Sequence, residues 1–414
     1  MHPASRSTLE LVCALGALSS LGFYILSVFG VASFLRLKRN AGGAFRSPNP
    51  FPPVSILKPL KGIDPHIWES FCSHCEQDYP EYELIFGVND PLDPAVEFVR
   101  RLRVQYPQRH IELVISPPDL DTNRKVGALS KMLSSARFET LLINDSDIHV
   151  APDYLRRVIA PLGHPGVGMV TCLYRGVAAS TLGSRLEGIG ISTDFVPGVL
   201  SARIIENGIH FGLGSTLAFR RSDLRAIGGF EGIRDYLADD YELGNRIASL
   251  GKRVELSEVV VDTYLPPYSL SQFLDHQLRW ARSVRGSRGG GYLGLMLTYW
   301  MPWTFALLLA ARGGGWAWWL AAAVLAARLG VAIVSTWKVL DDRASLGSLY
   351  LLPIRDFIAP IIWAMGLLGN KIVWRGDVFC LEKGRLVRAR ETPASHHNTE
   401  PRGSGAAFRT RVKP

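Results

Sequence analysis

Only five cysteines, Cys13, Cys72, Cys75, Cys172 and Cys380, occur in 414 residues, too few and too scattered for a disulfide framework. Cys72-Ser73-His74-Cys75 is the one close pair. A zinc site needs a second ligand pair, and a redox Cys-x-x-Cys belongs at a helix start after a strand. This pair falls inside an expected helix, Ile67–Gln77, so it reads as helical packing. Glycine-rich phosphate loops are missing as well. Between residues 53 and 265 there is neither Gly-x-Gly-x-x-Gly nor Gly-x-x-x-x-Gly-Lys-Ser/Thr, so a nucleotide bound there has no backbone cradle for its phosphates. The net charge of +9 is not accompanied by a basic face with base-stacking aromatics on a soluble domain, which argues against nucleic-acid binding. Instead Arg279, Arg282, Arg285 and Arg288 flank an apolar stretch, and Lys383, Arg385, Arg388, Arg390, Arg402, Arg409, Arg411 and Lys413 crowd the end. That is the distribution of positive-inside and anionic-lipid charge.

Apolar runs are plentiful. Hydrophobic residues make up 47% of the chain and mean hydropathy is +0.12. Leu9 to Leu35 is longer than the roughly 20 residues a span requires. Arg36, Lys38 and Arg39 follow it directly, the reverse of a secretory signal, so the segment reads as an uncleaved anchor with residue 40 onward in the cytosol. Two further spans are expected from Leu293 to Ala311 and from Trp316 to Thr336. A fourth stretch, Leu346 to Asn370, is interrupted by Arg355-Asp356. A charge pair at the bilayer centre is costly, so an interfacial or re-entrant segment is expected there.

The middle of the chain alternates strand and helix. "VSILKPL", "YELIFGVND", "IELVIS" and "TLLINDSD" read as strands; "IWESFCSHCEQ", "AVEFVRRLRVQY" and "KVGALSKMLSSA" read as the helices between them. This order implies a mostly parallel sheet covered on both faces. Ligands of such sheets bind at the carboxyl ends of the strands, and three expected strands end in polar residues: Lys58, Asn89-Asp90 and Asp145-Ser146-Asp147. With Asn123 and Lys125 opening the intervening helix, this is the set that a nucleotide diphosphate requires, a metal-binding acid replacing the phosphate loop. Read alone, each feature also fits a polar turn or an N-cap. Farther on, Asp239-Asp240 opens an amphipathic helix with Leu243, Ile247 and Leu250 on one face. After a strand at Val259–Tyr264 comes "SLSQFLDHQLRWARSVRG", a helix with regularly spaced cations.

Taken in order and ahead of membrane segments, Asp90, Asp145-Ser146-Asp147, Asp239-Asp240 and His276-Gln277-Leu278-Arg279-Trp280 resemble the motifs of the processive-type inverting glycosyltransferases. With "VSILKPLKG", "CEQDYP", "NRKV", "DSDIHVAPDYL" and "WRGDVF", the chain is most similar to the ceramide glucosyltransferase family, bacterial branch, including the glycosyltransferases of hopanoid biosynthesis, over about residues 10–380. The resemblance implies an α/β fold: a GT-A nucleotide-sugar domain over 41–290, an N-terminal anchor over 1–40, a C-terminal membrane region over 291–375, and a basic, disordered tail over 376–414. It implies a UDP-sugar donor, Mg²⁺ or Mn²⁺, and a membrane-lipid acceptor at the bacterial inner membrane. Asp90 would hold uracil and ribose, Asp147 the metal with Asp145 beside it, and Asp240 would be the catalytic base. Asp239, His276, Arg279 and Trp280 would lie near the diphosphate and acceptor. His276 stands where the family motif has Gln or Arg.

Three other readings compete. An Asp-x-Asp phosphotransferase is disfavoured by His149 where Thr or Val is needed. A polymerising synthase would need more spans. A non-enzymatic membrane scaffold with an accessory α/β domain would show no sugar transfer. Ceramide with glucose, and a bacteriohopane polyol with N-acetylglucosamine, are both compatible with the motifs.

Overall fold

The computed structural model describes residues 3–41, 51–116, 122–374 and 377–388. Its centre is an eight-stranded sheet built from β1 (Val54–Pro59), β2 (Tyr82–Val88), β3 (His110–Ile115), β4 (Thr140–Ile143), β5 (Ile148–His149), β6 (Val167–Val177), β7 (Leu217–Arg220) and β8 (Arg253–Tyr264). The spatial order is β3-β2-β1-β4-β7-β6-β8-β5. β3, β2, β1 and β4 run parallel, β7 is antiparallel to both neighbours, β6 and β8 are parallel, and β5 closes the edge antiparallel to β8. The α/β class expected from the alternating pattern holds.

The strands are apolar on both sides because both faces are covered. Ile56, Leu84, Phe86 and Leu142 point into one core, while Leu57, Ile85, Leu141 and Ile143 point into the other, the period of two that a pleated strand imposes. In chain order the helices are α1 (Pro3–Ala41), α2 (Ile67–Cys75), α3 (Ala95–Gln105), α4 (Arg124–Ser135), α5 (Tyr154–Ile159), α6 (Leu182–Gly190), α7 (Val196–Ile205), α8 (Arg221–Ala226), α9 (Asp239–Ser249) and α10 (Leu270–Ser287). A π-turn at Ile191–Phe195 joins α6 to α7. After α10 come α11 (Gly289–Gly294), α12 (Trp300–Ala310), α13 (Gly315–Val334), α14 (Arg343–Gly347) and α15 (Leu352–Leu367). Val31 and Phe34 of α1 enter the same core as Val196, Val199 and Leu200 of α7, so the anchor packs on the α/β domain.

Among the described residues four helices are long and apolar enough to cross a membrane: Ser7–Asn40, Leu182–Ile205, Gly315–Val339 and Leu349–Leu367. Three matters differ from the sequence reading. The expected span Leu293–Ala311 is not one straight helix: Gly289–Thr298 and Trp300–Ala310 meet at a 49° bend. The stretch around Arg355-Asp356 is a continuous helix, because its charges are met from inside the bundle. Asp356 pairs with Arg328 of α13 at 2.5 Å and accepts from Trp300 Nε1 at 2.7 Å, and Arg355 Nε donates to Asp194 at 3.0 Å. Third, Leu182–Ile205 lies inside the region expected to be wholly cytosolic.

The segment after α15 also needs correction. Residues 377–388, assigned above to a disordered basic tail, form β10 (Asp377–Glu382) and β11 (Arg385–Arg388), which complete an antiparallel sheet with β9 (Lys371–Trp374). This small sheet adds to the loop before α9: Leu237 N donates to Gly384 O, Leu386 N donates to Asp235 O, and Tyr236 bridges Arg385. The remainder of the expected tail, from 389 on, lies outside the described residues.

Candidate functional site

β4 ends at Ile143, and the chain turns through Asn144-Asp145-Ser146-Asp147 into β5. Asn144 is wholly buried, with Nδ2 donating to Ser215 O at 2.6 Å and to Tyr154 Oη at 2.9 Å. That anchorage fixes where the next three side chains emerge. Asp147 accepts from Thr263 Oγ1 of β8 at 2.5 Å, and Ser146 donates to Asp64 in the loop after β1. Burial, then the neighbouring Asp145 charge and that of Asp64, push the Asp147 carboxyl up to about 6 against the Thr263 hydrogen bond.

Opposite stands the start of α9. Lys125 Nζ lies 2.8 Å from Asp145 and 3.3 Å from Asp239, so one nearly buried ammonium joins the two acidic segments. Burial alone would lower its pKa, but the Asp145, Asp239 and Asp240 charges raise it above the ordinary lysine value. Asp240 has its own α9 amide at Tyr241 donating to Oδ1 at 2.8 Å. Burial and then the adjacent Asp239 charge push Asp240 up to about 6, with Lys125 opposing. Gly214 shows how the two acids are placed. A Cβ there would stand 3.1 Å from Asp240 Oδ2 and 3.4 Å from Asp145 Oδ2, so a single bare backbone position faces both carboxylates. Tyr174 of β6 is buried within the field of Glu187, Asp240, Asp145 and Asp147.

The α10 residues reach the same region through aromatic contacts. Trp280 meets Phe195 edge-on at 6.1 Å, and Phe195 packs on Tyr174 at 4.9 Å. His276 stacks on Tyr268 at 5.3 Å and lies 5.5 Å from Trp280. Arg279 is within electrostatic range of Tyr268. A capping box at Ser269 and Gln272 fixes the start of this helix.

Two expected ligand residues are committed elsewhere. Lys58 is wholly buried, donating from below to Asp145 O at 2.9 Å, with His74 Nε2 at 3.5 Å; burial pulls it down to about 7 against the Asp147, Asp145 and Asp64 charges. It supports the turn and shows no surface to a ligand. Asn123 is the N-cap of α4, accepting from Lys125 N at 3.0 Å and Val126 N at 3.2 Å, while Nδ2 donates to Tyr236 O at 2.8 Å. Asp90 stands at the exposed end of β2, two strands from Asp145, with Oδ1 accepting from Leu92 N at 2.8 Å. Residues that the sequence reading did not single out are Asp64, Tyr174, Glu187, Gly214 and Thr263. Of these only Glu187 carried a signal, an acid within an apolar helix.

No group of three or more His, Cys, Asp or Glu side chains able to hold a metal occurs among the described residues. Asp147 and Asp145 offer hard carboxylate oxygens of the kind Mg²⁺ and Mn²⁺ prefer. The Asp145 charge beside Asp147 is a repulsion that a divalent cation held by the two carboxylates would relieve.

Paired acids at a strand edge, an acid-led helix and an arginine-tryptophan helix lie beside apolar helices long enough to cross a membrane, and the family match makes the chain a glycosyltransferase. The chain belongs to glycosyl transferase family 21, whose family model matches residues 14–387. It is 23% identical to ceramide glucosyltransferase 1 of Caenorhabditis elegans over 82% of this chain and 74% of that protein. It is 27% identical to ceramide glucosyltransferase 3 of the same organism over 56% of this chain and only 50% of that one. Beta-monoglucosyldiacylglycerol synthase of Synechocystis sp. is 25% identical over 48% of this chain and 40% of that protein. Among solved structures, a mannosyltransferase from Pyrobaculum calidifontis in complex with GDP-Man and Mn²⁺ superposes with a TM-score of 0.49 at 21% identity, covering 84% of this chain and 98% of that one.

Proposed function

We propose that the chain is an inverting hexosyltransferase that moves a sugar from a UDP-sugar to the hydroxyl of a membrane lipid, of the ceramide glucosyltransferase type. The observation that carries this is the pair of carboxylates, Asp145 and Asp240, facing each other across bare Gly214 next to Asp147, in a domain flanked by apolar helices. Asp90, at the same strand edge, takes the uridine; Asp147 and Asp145 hold the divalent cation. When bound, that cation neutralises the leaving diphosphate.

The chain's own groups do the rest. Asp240 accepts the proton of the lipid hydroxyl. The lipid oxygen then bonds to the anomeric carbon as the carbon–oxygen bond to phosphate breaks, its electrons leaving with UDP, and inversion of an α-linked donor gives a β-glycoside. Burial raises Asp240 and so improves its strength as a base. Lys125 keeps Asp239 paired, which leaves Asp240 as the acid free to act. Trp280 and Phe195 present an apolar surface for the acceptor. The catalytic domain faces the cytosol of the bacterial inner membrane, consistent with Arg36, Lys38 and Arg39 at the end of the anchor.

The test incubates membranes containing the protein with each UDP-sugar in turn and identifies new lipids by mass. A hexosyl lipid that appears with wild-type protein and not with Asp240→Asn is expected. UDP-sugar turnover without any new glycolipid, from any lipid extract, would overturn the lipid-acceptor assignment.

A further inference from the structure

Glu187 lies in the middle of an apolar helix and is 1% exposed. An uncompensated buried carboxylate costs several kcal/mol, so its partners matter. Gln277 Nε2 of α10 donates to Oε2 at 2.8 Å. His276 Nδ1, on the next residue, stands 3.3 Å from Oε1, at ion-pair distance though off the line of a hydrogen bond. The nearest other cation is Arg355, whose Nε is spent on Asp194 at 3.0 Å and whose guanidinium lies against the bare Cα of Gly190.

The surrounding charges give a second, independent observation. Glu187, Asp194 and Asp356 bring three carboxylates to the junction of α6, α13 and α15. Arg328 bonds both Asp194, at 2.8 Å, and Asp356, at 2.5 Å, and Arg355 bonds Asp194, so the two guanidiniums serve two of the three acids. His276 is the side chain at ion-pair distance from the third acid, Glu187. Its ring is meanwhile held between Tyr268 and Trp280, one helical turn from Arg279. The groups facing His276 are therefore Glu187 and Gln277, the Tyr268 and Trp280 rings, with Arg279 and Arg355 beyond.

We infer that Glu187 is a positioning residue for transfer: as the carboxylate partner of His276 and Gln277 it holds the His276 ring, and with it the Arg279-Trp280 turn of α10, against the acceptor side of the site. This rests on the reading of the site proposed above. Glu187 does not touch substrate; it acts through His276.

The experiment compares Glu187→Gln, His276→Gln and the double variant, in detergent-solubilised full-length protein, by UDP affinity, single-turnover transfer and its pH profile. Glu187→Gln keeps an acceptor oxygen for Gln277 and removes only the charge. The expected result is a tenfold or greater loss of transfer rate for each single variant, UDP affinity within threefold of wild type, and a double variant no slower than either single. The dependence of rate on pH that Glu187→Gln alters in the wild-type background should not change further once His276 is Gln. Losses that multiply in the double variant, or a Glu187→Gln protein with wild-type rate and pH profile, would overturn the inference and leave the site reading standing. A wild-type protein that binds no UDP would overturn both.

Discussion

Lys125 Nζ sits 2.8 Å from Asp145 and so ties the first turn of α4 to the end of β4. Its second contact, Asp239 at 3.3 Å, makes it the hinge pin between the donor side of the site and the start of α9. Lys125→Met keeps the stem and removes the charge, leaving the buried Asp239 without its cation beside the partly exposed Asp145. Breaking a buried pair in this way costs about 3–5 kcal/mol. The expected outcome is a lower thermal midpoint together with weaker UDP binding, read by differential scanning and by titration calorimetry. An unchanged midpoint would mean that the two acids are solvated without their lysine.

Asp239 and Asp240 are adjacent on a helix, so their side chains diverge by about 100°. Asp239 is paired with Lys125, and Asp240 faces Gly214. Asp240→Asn should therefore lower single-turnover transfer by about 10²- to 10⁴-fold with UDP affinity nearly unchanged, while Asp239→Asn weakens UDP binding and slows transfer less. Near-normal transfer by Asp240→Asn beside an inactive Asp239→Asn would move the base by one residue.

The acid side of the pH profile follows from the same residue. Asp240 is raised to about 6 by burial and the Asp239 charge, and a general base works only when deprotonated. The single-turnover rate should thus fall about tenfold per pH unit below pH 6 and level off above it, two units higher than an ordinary aspartate would give. Asp239→Asn removes the like charge, so the limb should shift to lower pH in that variant. A limb that stays at the same pH would show that Asp239 does not reach its neighbour.

Removing divalent cations tests the acids at the end of β4. With excess chelator, transfer and UDP affinity should both drop, and Mg²⁺ or Mn²⁺ should restore them. Asp147→Ala should lose affinity and turnover together, because the same group holds donor and cation. Full activity in chelator would leave Asp147 without that role.

Much of this was legible because its signals are local. β1, β2 and β4 declared themselves as apolar runs, α9 by the spacing of Leu243 and Ile247, and α10 by its cations. Helix Leu182–Ile205 did not, because Gly188, Gly190, Ser192, Thr193 and Gly198 dilute its hydropathy, and its continuity depends on packing against α1 and α10. β10 and β11 were hidden since Arg385 and Arg388 read as tail charge; β10 pairs with β9 and β11, and the loop at 235–237 bonds Gly384 and Leu386 from far away in sequence. Lys58 and Asn123 were recognised as polar residues at the right sheet edge, but not whether they face the cleft or the interior. A strand-end lysine has reach enough for either, and only the positions of Asp145 O and His74 decide it. Arg355 and Asp356 were expected to interrupt the helix for a similar reason: their cost was visible in the sequence, while their partners, Asp194 and Arg328, were not.

The small C-terminal sheet places a constraint on the order of events during synthesis. Arg385 contacts Tyr236 from 149 residues away, and only Leu237 and Ala238 separate Tyr236 from the acids of α9. At typical elongation rates of 5–20 residues per second, the loop therefore waits roughly 7 to 30 s for its partner strand. During that interval α12, α13 and α15 are made. A chain halted before residue 371 carries Asp239 and Asp240 but lacks the strand that pairs with the loop at 235–237. The loop that leads into α9 thus gains its last strand partner only after α15 has been synthesised.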